Sequence, residues 1–344
     1  MKRNNEFSYV TRADVAKRAG VSVTVVSYVL NNNRYVDKDK RDRVLKAVKE
    51  LNYTPNTLAR ALKGKGSKHI IFIVENTSNE RFGVLVGEMD KYAYEKGYVV
   101  SLCANRNQPE LIQSIISRRF DGVIISSISF PDEYIKELVD AGIPVVVMLS
   151  RDYDAVEGVA KIDTGLYMGA KDCVKYLYDQ GRRNIIYIDR ISGRNHFSTM
   201  SDYRYRGFVH QMEELGLSYE DHMISGCSTE DEVREKLEGY IKNHQVDAII
   251  GRNDKMACVA MNTVIRKGIR VPEDIGVIGF DDSSVCRLVT PTLTSIRMPE
   301  EYIAKKAIEM LYKMHTELSI PEKVQFSTQL VVRRSTNLDV SDDN

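Results

Sequence analysis

The chain has 344 residues, 43% hydrophobic and 28% charged, enough for two or three domains with buried cores. Its formal net charge of +1 hides a split: residues 1–67 carry fifteen Lys/Arg against six Asp/Glu, and the remainder 34 against 42. A basic head on an acidic body is the electrostatic footprint of a nucleic-acid contact, which a merely solvated basic surface does not explain, and no apolar run is long enough to span a bilayer.

Residues 11–31, TRADVAKRAGVSVTVVSYVLN, read as two short helices joined by a tight turn. Thr11 and Asp14 form a capping-box start. Ala13, Val15, Ala16 and Ala19 supply small apolar contacts, and Gly20 ends the helix in a left-handed turn. Ser22 suits the N-cap of a second helix. There Val26, Val29 and Leu30 make one apolar stripe, while Thr24, Ser27, Tyr28 and Asn31 recur at i, i+3, i+4, i+7 on the other side, short and able to reach base edges. The pattern predicts a helix-turn-helix with a recognition helix rather than an ordinary helical hairpin. Asp37 caps a third helix, in which Val44, Leu45, Val48 and Leu51 are expected to bury and Arg41, Arg43, Lys46 and Lys49 to face solvent. Asn52 and Pro55 end it. The segment NTLARALKGKGS follows, with an Ala/Leu stretch over 56–63 too short to hold a helix alone in water.

From His69 on, β-branched runs (70–74, 98–102, 122–126, 144–148, 184–188, 247–250, 275–280) alternate with amphipathic helical patterns (83–96, 109–118, 132–141, 166–180, 203–215, 230–243, 254–267). Such β-α-β alternation predicts parallel sheets covered by helices on both faces. Two units in series, split near Ile162, predict two doubly wound subdomains with a cleft between their strand ends, the natural place for a small ligand. Motifs for catalysis are missing: no G-x-G-x-x-G follows the first strand, and there is no P-loop, G-x-S-x-G or H-E-x-x-H. Asp281–Asp282 has no nucleophile or base assignable beside it, so no enzyme activity is expected. Five scattered cysteines (Cys103, Cys173, Cys227, Cys258, Cys286) without a C-x-x-C read as reduced thiols, and the six histidines do not cluster with them at ligand spacing. No metal site and no cofactor are expected. The polar opening MKRNNEFSYV has no signal-peptide core, which points to the cytoplasm.

The segments DVAKRAGVS (14–22), VSYVLN (26–31), LNYTPNTLARAL (51–62), RNDKMA (252–257), VPEDIGVIGFDD (271–282) and TPTLTSI (290–296), in this order, resemble the LacI/GalR family of bacterial transcription regulators nearly end to end. The resemblance implies a three-helix helix-turn-helix head plus hinge helix, then a periplasmic-binding-protein-like body of two doubly wound parallel-sheet subdomains. Its domain plan is head 1–55, hinge and linker 56–67, body 68–338 and tail 339–344. The chain would cross back, with subdomain 1 at about 68–162 plus 296–320 and subdomain 2 at about 163–290 plus 325–335.

The function implied is an operator-binding regulator, a repressor in kind, acting as a homodimer on a pseudo-palindromic duplex. Val23 and Thr24 occupy the positions that most often set operator choice in the family, with Ser27 and Tyr28 a turn further on. Some relatives carry arginine in place of Tyr28, so a bidentate guanine contact is lost here and the resemblance does not fix the operator's exact bases. Thr11, Ser22, Asn31, Arg34 and Tyr35 are candidate phosphate contacts. Asn56, Ala59, Arg60, Leu62 and Lys63 would order in the minor groove when two copies meet, with Leu62 as an apolar wedge. Effector-binding candidates are Phe82, Arg204, Asn253, Asp254 and Asp281, suited to a sugar or sugar derivative. For Asn253 and Asp281, helix capping and turn formation are the plain alternatives, and Arg204 could instead pair with an acid. Relatives that bind sugars or purines often place an aromatic where this chain has Gly226–Cys227–Ser228. RLVTPTL lacks a second arginine associated with relatives that use a phosphoprotein co-repressor, favouring a small molecule. A short acidic tail without a leucine heptad argues for a dimer. The competing reading is a solute-binding or sugar-processing protein with no operator function.

Overall fold

The computed structural model describes residues 10–54, 66–193, 195–317 and 321–340. The hinge candidates Asn56, Ala59, Arg60, Leu62 and Lys63 lie outside these residues. Two compact units divide the chain, Met1–Ser67 and Lys68–Asn344.

In the first unit α1 (Arg12–Ala19), α2 (Val23–Asn31) and α3 (Lys38–Glu50) surround a small core of Val15, Ala16, Ala19, Val26, Val29, Val44, Ala47 and Tyr53. Local chemistry sets the boundaries. Thr11 and Asp14 form both hydrogen bonds of a capping box, Gly20 takes φ 65° at the end of α1, and Ser22 Oγ accepts from the Val25 amide. Three expectations are corrected. The buried stripe of α3 runs 44, 47, 48, 51, so Leu45, about a quarter turn away, is 46% exposed. Ala13 likewise lies off the stripe of α1 and is exposed. Arg41 is half-buried, its Nη1 donating to Asn32 Oδ1 at 3.0 Å.

The second unit contains two six-stranded sheets. The first is built from β1 (His69–Val74), β2 (Val99–Ala104), β3 (Gly122–Ser126), β4 (Val145–Leu149), β5 (Ala160–Asp163) and β11 (Lys323–Gln325), in the order β11-β5-β4-β3-β1-β2, all parallel. The second comprises β6 (Ile185–Ile188), β7 (Met223–Ile224), β8 (Ala248–Gly251), β9 (Gly276–Phe280), β10 (Thr294–Arg297) and β12 (Gln329–Val331), in the order β12-β10-β9-β8-β6-β7. Among the described residues only the β10–β12 pair is antiparallel. β3, β4, β6, β8 and β9 are buried along their whole length, because helices cover both faces and no residue of the strand is left for water. Those helices are α4 (Glu80–Glu95), α5 (Pro109–Ser117), α6 (Asp132–Asp140), α7 (Leu166–Asp179), α8 (Tyr203–Glu214), α9 (Glu230–Asn243), α10 (Asp254–Arg266) and α11 (Glu300–Thr316).

The crossings differ from the sequence-based bounds. β5 belongs to the first sheet, so the first crossing follows Asp163. β10 was expected in the first subdomain from Ile296 on. It pairs with β9 (Thr294 opposite Ile278), which holds the chain in the second sheet until Arg297. α11 then packs on α4, β11 pairs with β5, and β12 returns beside β10. Three strands of chain therefore connect the two lobes. Gly207 in α8 is needed where that helix meets α7: a Cβ there would lie 2.3 Å from the Tyr167 carbonyl oxygen.

Candidate functional site

The exposed end of α2 is its N-terminal turn. Val23 is 47% exposed and Thr24 is exposed, ahead of the buried positions Val26 and Val29 on the same helix. Ser27 and Tyr28 are half-buried one turn further on. The Asn31 side chain folds back on its own helix, donating to the Ser27 carbonyl at 2.8 Å and to Ser27 Oγ at 3.1 Å. The Arg34 guanidinium lies 5.2 Å from the centre of the Tyr28 ring, and Tyr35 is 93% exposed. Thr11 Oγ1 donates to Asp14 Oδ2 at 2.7 Å, and these bonds hold the Asp14 carboxyl below its ordinary range. Ser22, Val23 and Thr24 thus offer hydroxyl and methyl groups at consecutive exposed or half-exposed positions, and Arg34 and Tyr35 are exposed in the loop that follows the helix.

In the body, polar side chains gather at the C-terminal ends of the strands. Arg204, at the second position of α8, is buried. Its Nη2 lies 2.7 Å from Asp281 Oδ1, and its Cζ is 4.5 Å from the centre of the Phe280 ring. Asp281 follows β9 with φ 107°, a left-handed conformation that a non-glycine residue rarely holds without a functional or packing reason. Asp254, at the start of α10, accepts from the Ser283 amide and hydroxyl, both at 2.7 Å, and from Ser295 Oγ at 2.5 Å. Burial, reinforced by the charge on Asp281, pushes its carboxyl up to about 6. Room for that carboxylate comes from Gly279, where a Cβ would stand 2.3 Å from Asp254 Oδ1.

The other two candidates fare differently. Asn253 caps α10, accepting from the Met256 amide at 3.0 Å, so its oxygen is committed to the helix. Phe82 is packed into the core, edge-on to Phe72 at 6.0 Å and 8% exposed. Its position on the inward face of α4 corrects the expectation of a ring free to stack on a ligand.

Several residues that the motifs did not flag share this region. Asp202 joins Arg190 at 2.5 Å to Arg252, and Ser198 Oγ donates to Asp189 Oδ1 at 2.6 Å while receiving a bond from Arg252. Glu75, just after β1, accepts from Ser127 Oγ and Ser129 Oγ. For Glu75 and Asp189 the sequence signal was an acid directly after an apolar run, and Arg190, Ser198, Asp202 and Arg252 carried none. Two sets of contacts bridge the lobes. On one side Glu80 accepts from the amide and hydroxyl of Ser284, with Asn79 Nδ2 3.5 Å from Asp281. On the other, Asp152 accepts from Tyr203 Oη at 2.9 Å and from Arg206 Nη1 at 2.6 Å. Among the described residues there is no cluster that could hold a metal ion, and no helix is long and apolar enough to cross a membrane.

A helix-turn-helix unit followed by two parallel-sheet lobes with a polar cleft defines an effector-controlled, DNA-binding transcriptional regulator. The chain belongs to the lacI family of bacterial regulatory proteins, whose model matches residues 11–56, and residues 174–336 match the periplasmic binding protein-like domain. It is 32% identical over 333 residues to the HTH-type transcriptional repressor PurR of Histophilus somni (strain 129Pt), covering 94% of this chain and 98% of that protein. The PurR of Serratia proteamaculans is also 32% identical, over 94% of this chain and 96% of its own. Among solved structures, the lac repressor dimer bound to operator and the anti-inducer ONPF aligns with a TM-score of 0.80 at 23% identity, covering 96% of this chain and 99% of that one. The CelR–cellobiose complex aligns with a TM-score of 0.68 at 26% identity, covering 95% and 99%. The curated relatives are repressors, and the chain is a regulator rather than an enzyme.

Proposed function

We propose that two copies of the chain grip a pseudo-palindromic operator in the cytoplasm and release or tighten on it when a small polyhydroxylated molecule enters the cleft. The observation that carries this reading is the capped, outward-facing N-terminal turn of α2, where Val23 and Thr24 are exposed together. In a major groove Thr24 donates and accepts at base edges and Val23 meets a thymine methyl. Ser27 and Tyr28 lie behind them, and Thr11, Ser22, Asn31, Arg34 and Tyr35 sit against phosphates, the first two in addition to capping their helices. The hinge residues Asn56, Ala59, Arg60, Leu62 and Lys63 complete the contact in the minor groove. The division into head 1–55, hinge 56–67, body 68–338 and tail 339–344 belongs to the same reading.

In the cleft, Arg204, Asp281 and Asp254 present a guanidinium and two carboxyls to a ligand, with Asn253 behind them at the start of α10. Cellobiose in the CelR complex supports a sugar-like ligand. Because contacts on both sides of the cleft bridge the lobes, a ligand that displaces or strengthens them shifts one lobe against the other, and coupling to DNA follows as a population shift.

The test is fluorescence anisotropy on a central-CG palindrome against scrambled duplex. Leu62→Ala is expected to weaken operator binding while leaving the thermal transition of the body unchanged. Equal affinity of that variant and the parent refutes the minor-groove wedge, and no preference for the palindrome refutes the operator reading.

A further inference from the structure

Building on the cleft reading above, we propose that the effector carries an anionic group, a carboxylate or phosphate, and that Arg81 together with Arg204 is its receptor. Arg81 is a guanidinium 94% buried within the body, on the first turn of α4. Its Nε and Nη2 have no hydrogen-bond partner among the described residues. Those two nitrogens form one edge of the planar guanidinium, the edge that receives two oxygens of a carboxylate or phosphate side by side. Glu300 pairs with it at a distance: its Oε1 lies 3.5 Å from Nε, and that oxygen too lacks a hydrogen-bond partner among the described residues.

The surroundings explain why Glu300 does not serve as the missing anion. Burial pushes its carboxyl up to about 7, with Arg81 opposing the rise and Asp281, Asp282 and Glu80 adding to it, so near neutral pH it is only partly ionised beside Arg81. Burial also draws the Arg81 guanidinium down from its ordinary value, and Arg204 adds to that. Arg204 comes from the opposite lobe. It spends Nη2 on Asp281 and leaves Nε without a partner. Two guanidiniums, one from each lobe, thus feel the charge of the one Asp281 carboxylate and keep unused donors. A buried cation with unmade hydrogen bonds costs free energy that the 3.5 Å pairing with Glu300 offsets only in part. An anion between the lobes supplies the missing acceptors and draws the lobes together. A neutral sugar brings acceptors but no charge to Arg81.

The test uses the full-length protein and inorganic phosphate or acetate as the probe, against chloride at constant ionic strength, with binding read by thermal shift and calorimetry. The stronger of the two probes names the class of group. Phosphate or acetate is expected to stabilise the wild type over chloride, with Arg81→Gln weakening its binding at least tenfold. Arg81→Lys, which keeps the charge without the two-pronged edge, is expected to weaken binding less than Arg81→Gln does. It also decides the matter alone if Arg81→Gln does not fold: unchanged affinity in Arg81→Lys overturns the bidentate receptor. No preference of the wild type for either anion over chloride overturns the proposal. So does a shift that survives Arg81→Gln, since it then arises at the basic head. Operator affinity is read in the same samples. An Arg81-dependent shift with operator affinity unmoved keeps the anion site and counts against cleft control of DNA. Loss of the shift with intact operator preference removes the anion site alone.

Discussion

Asp254 makes the body's stability depend on pH in a direction opposite to that of most surface carboxylates. In the unfolded chain its carboxyl titrates near 3.8, and in the fold near 6, because it is 2% exposed and faces Asp281. Between those values the native protein holds a proton that the unfolded chain has released. The stabilisation is therefore complete below pH 3.8 and lost as pH rises through 6. The difference corresponds to at most about 3 kcal/mol at neutral pH. Glu300 adds a second loss of the same sign at higher pH, its carboxyl moving from 4.5 to about 7. Replacing Asp254 by Asn mimics the protonated acid. The amide oxygen can still accept from the Ser283 amide, but Ser295 Oγ, which now donates at 2.5 Å, must find another acceptor, costing about 1 kcal/mol. Urea denaturation of the wild type between pH 5 and 8 is expected to show falling stability, and Asp254→Asn to flatten the part centred near pH 6 while Glu300→Gln flattens the part near 7. If Asp254→Asn keeps the full wild-type slope between pH 5 and 6.5, the desolvated carboxyl is not its source.

Other perturbations probe separate links. Arg204→Met leaves Asp281 buried without its cation and is expected to cost about 3–5 kcal/mol in urea melts. Arg204→Met/Asp281→Leu together should cost less than the sum of the single changes. Gly207→Ala drives a methyl carbon against the Tyr167 carbonyl and should lower stability by about 1–3 kcal/mol by parting α7 from α8, visible as a lower thermal midpoint. Thr24→Ala, an exposed change, should leave that midpoint unmoved and weaken operator binding about tenfold, the scale of one base-edge contact. Operator affinity should fall with salt at a log–log slope of about −6 or steeper for a dimer neutralising six or more phosphates, and a slope near −2 would argue against a two-headed grip.

The local grammar of the head was legible in the residues themselves. Thr11, Gly20, Ser22 and Asp37 act on the backbone within a few positions of themselves, so their roles follow from neighbours in the chain. Strands such as GVIIS at 122–126 announced burial on both faces by having no polar side at all. Leu45 and Ala13 escaped because an apolar residue just off a stripe looks the same in sequence as one on it.

Tertiary structure alone decided the cleft. Ser295 and Asp254 are 41 positions apart and Arg204 and Asp281 are 77 apart, and nothing local forces either pair together. The same holds for β10, whose allegiance to the second sheet rests on pairing with β9 rather than on its own four residues. Phe82 reads as a ligand-stacking ring by motif, yet the turn of α4 sends it into the core and leaves its neighbour Arg81 buried against Glu300. Caps and periodicity act over one helical turn, whereas a buried charge finds its partner only once the lobes have closed around it.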